Sequence, residues 1–432
     1  MLKRKIMDVL VHWKENHKKE CLVLHGVRQC GKTFIIRCFG KQYYKNVIEI
    51  NFVERPDMIR VFSGDLDVKT LSQGIALRMP EVKFIPGETL LFFDEIQECP
   101  AARTSLKFWA EDGSYDVIAS GSLLGMTYKD TSSIPVGYEY PVDMYPLDFI
   151  EFLWALGIDQ SFIEDLSLYT SGMNEIPDHI HDGMMQYLRQ FLVIGGMPEV
   201  VNSYVDSHNY QSVQRVQDKI LRDYLDDIAK YANNADRIKA RTCYLSIPRQ
   251  LSKENHKFQY SVVEKKGTAR KFESSIDWLR EAGMIVNSYN VSTPDFPLLA
   301  YLKEDQFRVY LSDIGLFSAM FGYQIKETIL NDSLSGPVKG GLYESLIADI
   351  LYKRGEKLYY YKKEDSSLEI EFLLERKGKV IPVEVKAKKG STKSLNEMLK
   401  KDQIEVGYKL TSQKTVISDK KITLPLYLAA FL

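Results

Sequence analysis

The segment Gly26-Val-Arg-Gln-Cys-Gly31-Lys32-Thr33 has the residue types and spacing of a phosphate-binding loop. The apolar run Cys21–Leu24 before it predicts a short buried strand, and residues 33–39 after it can begin a helix. In that setting, backbone N–H groups and the helix dipole attract phosphate oxygens. Lys32 would contact the β- and γ-phosphates, and Thr33 would bind Mg²⁺. The segment therefore predicts a site for a nucleoside triphosphate, with ATP and Mg²⁺ as the ligands.

A second motif follows some sixty residues later. The run Thr89–Phe93 is typical of a central parallel strand, and Asp94 and Glu95 come directly after it. Asp94 could hold Mg²⁺ through water, and Glu95 could activate the attacking water as a general base. Such an acidic pair can also do no more than cap a strand. Its place after a strand that would neighbour the phosphate loop favours the catalytic interpretation.

A third predicted strand, residues 116–119, leads into Ser120. The hydroxyl of Ser120 could sense the γ-phosphate, although a simple turn at the strand end explains the residue nearly as well.

Composition limits the classes of protein that fit. The chain has 432 residues, 45% of them hydrophobic and 27% charged, with a net charge of -1. These values are typical of a globular protein, and any basic surface for nucleic acid must be local. The five cysteines have no CxxC spacing, which predicts reduced thiols in the cytoplasm and no zinc site. No apolar run reaches the length of a membrane span, so no membrane association is expected.

The order of sequence patterns predicts four regions. Strand-like and helical runs alternate within residues 1–160, which predicts an α/β domain with a parallel sheet. Residues 161–238 are dominated by helical patterns and could form a lid or linker. Residues 239–330 suggest a winged-helix-like region: Phe272, Ile276 and Leu279 recur at helical spacing, and two strand-like runs follow. Such a module could bind DNA through its helix, near Arg270, Lys271 and Arg280, or mediate protein contacts.

The last region, residues 331–432, contains a possible second site. A predicted helix contributes Glu344, one predicted strand contributes Glu371, and the next contributes Glu384 and Lys386. The carboxylates could bind Mg²⁺, and Lys386 could orient a water for phosphodiester hydrolysis. This is the layout of a restriction-endonuclease-like α/β domain. The alternative is a half-exposed hairpin whose polar residues, including Glu384, Lys386 and Lys388, point away from the core.

Basic residues are concentrated in the same region. Between Arg376 and Lys401 there are nine basic residues and two acidic ones. This surface could bind a nucleic-acid backbone, or it could be a solvated face.

The whole pattern resembles a large prokaryotic family of AAA-type P-loop ATPases with a C-terminal domain similar to restriction-endonuclease-like folds. The resemblance implies ATP binding, hydrolysis and a winged-helix-like linking region, and it does not settle a biological role; a protein partner is possible. Two residues depart from the family pattern. Glu371 stands where the family usually has an Asp. Tyr138 stands where many members have an Arg, directly after the glycine that matches Gly137. Arg103 is a candidate arginine finger, acting in cis or from a neighbouring subunit. The motifs that carry the resemblance are Gly26–Thr33, Phe93–Gln97, Ala119–Ser122, Tyr145–Phe149, Gly195–Pro198, Ser312–Leu316, Gly341–Glu344 and Pro382–Lys386.

Overall fold

A computed structural model describes residues 2–16, 20–122, 137–171, 175–231, 234–387 and 392–432. Contacts divide the chain into two units. The amino-terminal unit comprises Arg4–Tyr145 with Glu281–Gly283, and the carboxyl-terminal unit comprises Met1–Lys3, Pro146–Arg280 and Met284–Leu432. The predicted boundaries at residues 160, 238 and 330 all fall inside the second unit and stay predictions.

The amino-terminal unit is built on a five-stranded parallel sheet with strand order β2-β3-β4-β1-β5. The sequence predicted parallel strands here, and that prediction is confirmed. The strands are β1 (Cys21–Gly26), β2 (Asn46–Asn51), β3 (Thr89–Asp94), β4 (Asp116–Ser122) and β5 (Glu139–Met144). The helices are α1 (Ile6–Asn16), α2 (Lys32–Tyr43), α3 (Val68–Arg78) and α4 (Pro100–Asp112).

An aromatic core fixes one face of this sheet. Phe93 of β3 contacts the rings of Phe52, Phe62 and Trp109 at centroid distances of 5.7–6.4 Å. All four side chains are at most 2% exposed. Because β3 is buried on both faces, its sequence is a continuous apolar run, as expected for a central parallel strand.

The carboxyl-terminal unit begins with helices and continues into a large mixed sheet. The helices before the sheet are α5 (Phe149–Ala155), α6 (Gln160–Leu168), α7 (Asp178–Ile194), α8 (Pro198–Ser207), α9 (Tyr210–Tyr231), α10 (Asn234–Leu251), α11 (Tyr260–Val263) and α12 (Ala269–Glu281). The later helices are α13 (Ile314–Ala319), α14 (Gln324–Leu330), α15 (Gly336–Lys353) and α16 (Lys393–Met398).

Eight strands form the sheet of this unit, in the order β12-β13-β11-β10-β9-β8-β6-β7. They are β6 (Ile285–Val291), β7 (Leu302–Leu311), β8 (Tyr359–Lys362), β9 (Glu369–Arg376), β10 (Lys379–Val385), β11 (Gly407–Thr411), β12 (Val416–Ser418) and β13 (Lys421–Pro425). No helix in the described part of the chain has the length and hydrophobicity needed to span a membrane.

The two strands predicted as a wing have a different setting from the one expected. β6 and β7 pair antiparallel, but β6 also pairs with β8, so both belong to the sheet of the C-terminal strands. The side chain of Asn290 on β6 strengthens this link: its Nδ2 donates to the carbonyl of Lys362, and its Oδ1 accepts from the Lys362 N–H. The preceding helix α12 is present as predicted, with Phe272, Ile276 and Leu279 buried.

The predicted alternation of β10 is only partly correct. Val383 and Val385 are buried, but Glu384, which the hairpin alternative directs away from the core, is also buried, at 2% exposure. Two helices, α15 and α16, pack against β10, and Lys386 and Glu371 lie beside the Glu384 carboxylate. Lys388, expected on the same face, lies outside the described residues.

Candidate functional site

The phosphate loop lies between β1 and α2, as its sequence predicts. Two of its residues have left-handed backbone conformations, Gln29 with φ 64° and Gly31 with φ 97°. The helix begins at Lys32. The Nζ of Lys32 donates to the carbonyl oxygens of Gly26 at 2.8 Å and Val27 at 3.1 Å, and the side chain is 9% exposed. The loop therefore holds this ammonium group over its own backbone, where a phosphate would meet it.

Asp94 is the centre of a hydrogen-bond cluster beside the loop. Its Oδ2 accepts from Thr33 Oγ1 at 3.0 Å and from Asn51 Nδ2 at 3.1 Å. Its Oδ1 accepts from the Ser120 hydroxyl. Asn51 ends β2, Asp94 ends β3 and Ser120 lies near the end of β4, so parallel pairing brings all three to one edge of the sheet.

Thr33 and Asp94 are suitable ligands for Mg²⁺. Both offer oxygen atoms, which Mg²⁺ prefers, and their side chains are in direct contact. A magnesium ion in nucleotide sites is usually held by one or two protein oxygens together with phosphate oxygens and water. The pair fits that pattern.

Glu95 lies next to the cluster in a left-handed conformation, with φ 52°. Its side chain accepts a hydrogen bond from Gln97 Nε2 at 2.5 Å, and its backbone N–H donates to Asp94 Oδ1 at 3.1 Å. Glu95 is half-buried, whereas Asp94 is 3% exposed. The two carboxylates of the acidic pair therefore have separate environments.

The contacts of Ser120 differ from the sequence-based expectation, and Asn51 was not expected at this site. The Ser120 hydroxyl, a candidate γ-phosphate sensor, is fully buried and donates to Asp94. Sequence reasoning missed Asn51. The signal that could have found it is its place as a polar residue that ends the strand next to Asp94.

The structure does not support Arg103 as an arginine finger. Its guanidinium is 8% exposed and donates to both carboxylate oxygens of Glu139, at 2.9 and 3.0 Å. Tyr138, which stands where many family members have an arginine, donates its hydroxyl to Glu111 at 2.7 Å.

The second predicted site is assembled in part. Lys386 Nζ donates to Glu371 Oε1 at 2.8 Å and lies 3.6 Å from Glu384 Oε1. Burial raises the pKa of Glu384 to about 7, and Glu371 adds to this shift while Lys386 opposes it. Burial likewise raises the pKa of Glu371. Glu384 Oε2 is buried and has no hydrogen-bond partner among the described residues.

Glu344, the fourth residue predicted for this site, is held by other side chains. Its Oε1 accepts from Arg308 Nη1 at 2.7 Å and from the hydroxyl of Tyr310, and its Oε2 lies 2.6 Å from His256 Nδ1. Burial would raise the pKa of Glu344, but Arg308 and His256 outweigh it and lower the pKa. Within the described ranges, no three His, Cys, Asp or Glu side chains form a metal-binding group.

Arg308 is the main residue that sequence reasoning missed in the cluster around Glu344. It is 1% exposed, pairs with both Glu344 and Glu369, and lies 4.3 Å from the centroid of the Tyr360 ring. Its partners are 36 to 61 residues away in the sequence. No local motif could have indicated these contacts.

Comparison with known families agrees with the geometry of the amino-terminal unit. Residues 18–153 match a family model described as an AAA domain. The parallel sheet, the phosphate loop and this match define an AAA-type P-loop ATPase domain, which binds and hydrolyses ATP. Two further models match residues 185–327 and 339–429, and each is described as a domain of unknown function, DUF8612 and DUF4143 respectively. No curated protein shows significant similarity to the chain.

Several solved structures are distantly similar. The Walker-type ATPase PABY2304 of Pyrococcus abyssi has 12% identity, with 74% of this chain and 96% of that chain covered and a TM-score of 0.43. The ORC1 protein of Aeropyrum pernix, in complex with DNA, has 12% identity, 77% and 93% coverage and a TM-score of 0.29. AMPPCP-bound DnaA from Aquifex aeolicus has 15% identity, 63% and 86% coverage and a TM-score of 0.30. Similarity at this level says nothing specific about substrate or partner.

Proposed function

We propose that Lys32, Thr33, Asp94 and Glu95 carry out Mg²⁺-dependent ATP hydrolysis, and that the nucleotide state switches binding by the carboxyl-terminal unit. The observation that carries the first part is the cluster around Asp94, where Thr33, Asn51 and Ser120 meet beside the phosphate loop. Oxygen ligands, a buried ammonium group and a separate second carboxylate are the groups that phosphoryl transfer to water requires.

Each residue has a distinct role in this proposal. Gly26 and Gly31 allow the backbone to approach the phosphates, and Lys32 exchanges its carbonyl partners for phosphate oxygens. Thr33 and Asp94 would hold Mg²⁺, which neutralises charge on the phosphates when it is bound. Glu95 accepts the proton of the attacking water. Gln97 orients the Glu95 carboxylate, and Ser120 orients that of Asp94.

Two substitutions separate binding from hydrolysis. Lys32→Ala should abolish ATP binding, while Glu95→Gln should retain binding and lose at least about a hundredfold in turnover, the scale of general-base catalysis. Binding would be measured with a fluorescent ATP analogue, and turnover by phosphate release. Lys41→Ala and Glu54→Gln are the matched controls, since both residues are exposed in the same unit. Equal ATP binding by Lys32→Ala and wild type would refute the proposed site.

The switch is tested by the effect of a candidate partner on ATP turnover. The candidate partner surfaces are the helical region 161–238, the proposed winged-helix-like region 239–330, and the basic part of the C-terminal region. DNA is one candidate partner, because Arg270, Lys271 and Arg280 on α12 are exposed. Turnover would be measured with and without single- and double-stranded DNA. Stimulation by DNA supports a DNA-directed switch, and turnover indifferent to DNA indicates a protein partner.

A second candidate function is a nucleotide-gated nuclease. It is supported by the approach of Lys386 to Glu371 and Glu384, in a region that we propose to be restriction-endonuclease-like. The Oε2 of Glu384, which is buried without a hydrogen-bond partner among the described residues, also supports it. The engagement of Glu344 by Arg308 weighs against it. Nicking of DNA in Mg²⁺ or Mn²⁺ that is lost in Lys386→Ala, but kept in Lys379→Ala, would support a nuclease. Lys379 is a suitable control because it begins β10, the strand that Lys386 directly follows, and is exposed. Protein that cuts no nucleic acid with either metal would exclude this function.

A further inference from the structure

Arg4 joins the phosphate loop to the end of β5. The residue is 9% exposed, and its guanidinium donates from Nη1 to the Cys30 carbonyl at 3.2 Å and from Nη2 to the Tyr145 carbonyl at 2.6 Å. Cys30 belongs to the phosphate loop, and Tyr145 directly follows β5. A planar guanidinium carries its donors in a rigid fork, so it holds two acceptors at a set separation. Arg4 therefore fixes the position of Tyr145 relative to the loop.

The phosphate loop also lies directly against the last residue of β5. Gly26 has no room for a Cβ atom because of the Met144 carbonyl oxygen, and Cys30 Sγ lies 3.5 Å from the same oxygen. The carbonyls of Gly26 and Val27 are the groups that hold the Lys32 ammonium. When Lys32 turns to phosphate oxygens, as proposed above, these carbonyls lose their donor directly beside Met144.

A few residues further on, the carboxyl-terminal unit holds Leu147 in a buried polar network. The Leu147 N–H donates to the Gly196 carbonyl at 2.7 Å, and its carbonyl accepts from Lys353 Nζ at 3.2 Å. Lys353 Nζ also lies 3.2 Å from an Asp313 oxygen and 2.8 Å from an Asp349 oxygen. The Gly196 N–H donates to Asp313 at 2.7 Å, and the three charged side chains are at most 7% exposed. These five residues, here called the Leu147 network, fix both backbone groups of Leu147.

Glycines bring the backbone around the Leu147 network into direct contact. A Cβ atom on Gly196 would overlap the Leu147 carbonyl, and one on Gly315 would overlap the carbonyl of the residue before Gly195. Segments packed this closely have little free volume in which a displacement could be absorbed. The segments that meet here are three of the motifs that carry the family resemblance, Tyr145–Phe149, Gly195–Pro198 and Ser312–Leu316.

We propose that Arg4 and the segment Met144–Leu147 couple the phosphate loop to the Leu147 network, so that ATP binding alters the carboxyl-terminal unit. Arg4 is a positioning residue in this proposal, because it makes Tyr145 follow the loop. The chain passes from one unit to the other between Tyr145 and Pro146, and the proline ring stiffens the connection to Leu147. The coupling rests on the nucleotide-dependent switch proposed above and names the path by which the nucleotide state reaches the second unit.

Hydrogen exchange with mass spectrometry would test this coupling in the full chain, with AMPPCP and Mg²⁺ as the probe. In wild type, exchange in peptides that cover residues 194–198 and 312–316 should differ at least about fivefold between the nucleotide-free and AMPPCP-bound states, the lower end of allosteric coupling. Arg4→Met should lose this difference while it still binds AMPPCP. Lys5→Met is the matched control, since Lys5 is the exposed neighbour of Arg4, and it should respond as wild type does.

An insertion tests the connection without changing the residues at either end of it. Two glycines inserted between Tyr145 and Pro146 lengthen the link, so AMPPCP should bind and the exchange difference at the Leu147 network should disappear. The same insertion between Gly64 and Asp65, in an exposed loop of the amino-terminal unit, should leave the difference unchanged. Circular dichroism would establish that each variant is folded, and calorimetry would measure AMPPCP binding in the same samples.

The two measurements separate a failure of the coupling from a failure of the nucleotide site. Wild type that binds AMPPCP without an exchange difference at the Leu147 network would overturn the coupling alone. A difference that persists in both Arg4→Met and the variant with the insertion before Pro146 would also overturn it, because the nucleotide would then act by another route. Wild type that does not bind AMPPCP would refute the proposed nucleotide site and the coupling together.

Discussion

Among single residues, Asp94 is held in place by several neighbours. Donors from Thr33, Asn51 and Ser120 approach its two carboxylate oxygens from three different elements. A carboxylate held by several donors has a fixed orientation. Groups that orient a metal ligand usually affect the affinity for the metal as well as the geometry of the site. Ser120 is therefore a positioning residue, and its contribution should appear in the Mg²⁺ requirement.

Ser120→Ala should raise the Mg²⁺ concentration needed for half-maximal ATP turnover by about tenfold, because loss of a group that orients a metal ligand costs about 10- to 100-fold in affinity. ATP binding measured without Mg²⁺ should be unchanged. The measurement is phosphate release across a Mg²⁺ titration. Ser105→Ala is the control, since Ser105 is also buried but donates to the Ala102 carbonyl. A fall in turnover at all Mg²⁺ concentrations, with the same midpoint, would contradict a positioning role.

The sequence predicted the residues of the two candidate sites unevenly. Lys32, Thr33 and Asp94 were predictable because motif spacing and strand position alone determine where they lie. Asn51 could be assigned to the site only by knowing that β2 is the strand that neighbours β3. Arg308 could not be predicted at all, because it pairs with Glu344 and Glu369 across large sequence separations.

At the scale of secondary-structure elements, β1 and β5 come very close where the phosphate loop begins. A Cβ atom on Gly26 would lie 2.4 Å from the Met144 carbonyl oxygen and 3.0 Å from Cys30 Sγ. The close neighbour is backbone, so a side chain there would have to displace β5. Gly26 thus has a packing role in addition to its place in the motif.

Gly26→Ala should lower the free energy of unfolding of the amino-terminal unit by about 1–3 kcal/mol, the usual cost of overpacking. ATP affinity should fall with it, because the loop starts at this residue. Gly183→Ala is the matched control: Gly183 lies within α7, and a Cβ there would meet no atom within 4 Å. That variant should be neutral or more stable, by up to about 1 kcal/mol. Urea unfolding would compare them, and equal stability of both variants would contradict the packing argument.

The sheet of the carboxyl-terminal unit shows why element identity was easier to predict than element pairing. The strand runs at β6, β7, β9 and β10 were visible as short apolar segments. Their partners were not, because β6 pairs in parallel with β8 some seventy residues later, and no turn motif marks such a connection. The prediction of a wing relied on neighbouring residues alone, so it missed the pairing of β6 with β8.

A buried lysine links α14 to α7 and α9 and should make stability depend on pH. Lys326 is 1% exposed, and its Nζ donates to Gln217 Oε1 at 2.7 Å and to the Val193 carbonyl at 3.1 Å. Burial lowers its pKa to about 7. In the unfolded chain a lysine keeps its proton up to about pH 10.4. Between these values the unfolded state binds more protons, so the free energy of unfolding rises with pH.

The free energy of unfolding should rise by up to about 1.4 kcal/mol per pH unit above pH 7. Urea unfolding of the carboxyl-terminal unit at pH 7, 8 and 9 would measure it. Lys326→Met should remove this rise, while Lys265→Met, at an exposed position, should retain it. If the free energy of unfolding depends on pH in the same way in wild type and Lys326→Met, the lysine is protonated throughout the range.

At the scale of the whole molecule, the division into two units determines where ATP should stabilise the chain. A ligand that binds only the folded state adds RT ln(1 + [L]/Kd) to stability, about 2.7 kcal/mol at a hundredfold excess over Kd. The groups that would hold ATP all lie in the amino-terminal unit. The direct stabilisation should therefore be confined to that unit.

Hydrogen exchange with mass spectrometry would measure this effect segment by segment, using a non-hydrolysable ATP analogue with Mg²⁺. Peptides from β1, β3 and β4 should gain about 2.7 kcal/mol of protection at a hundredfold excess of ligand. Peptides from the core strands β9 and β10 should gain much less, unless the two units unfold together. Lys32→Ala should show no gain in either unit. Equal gains in both sheets would mean that the units form one cooperative structure, and a gain confined to the second sheet would place the nucleotide elsewhere.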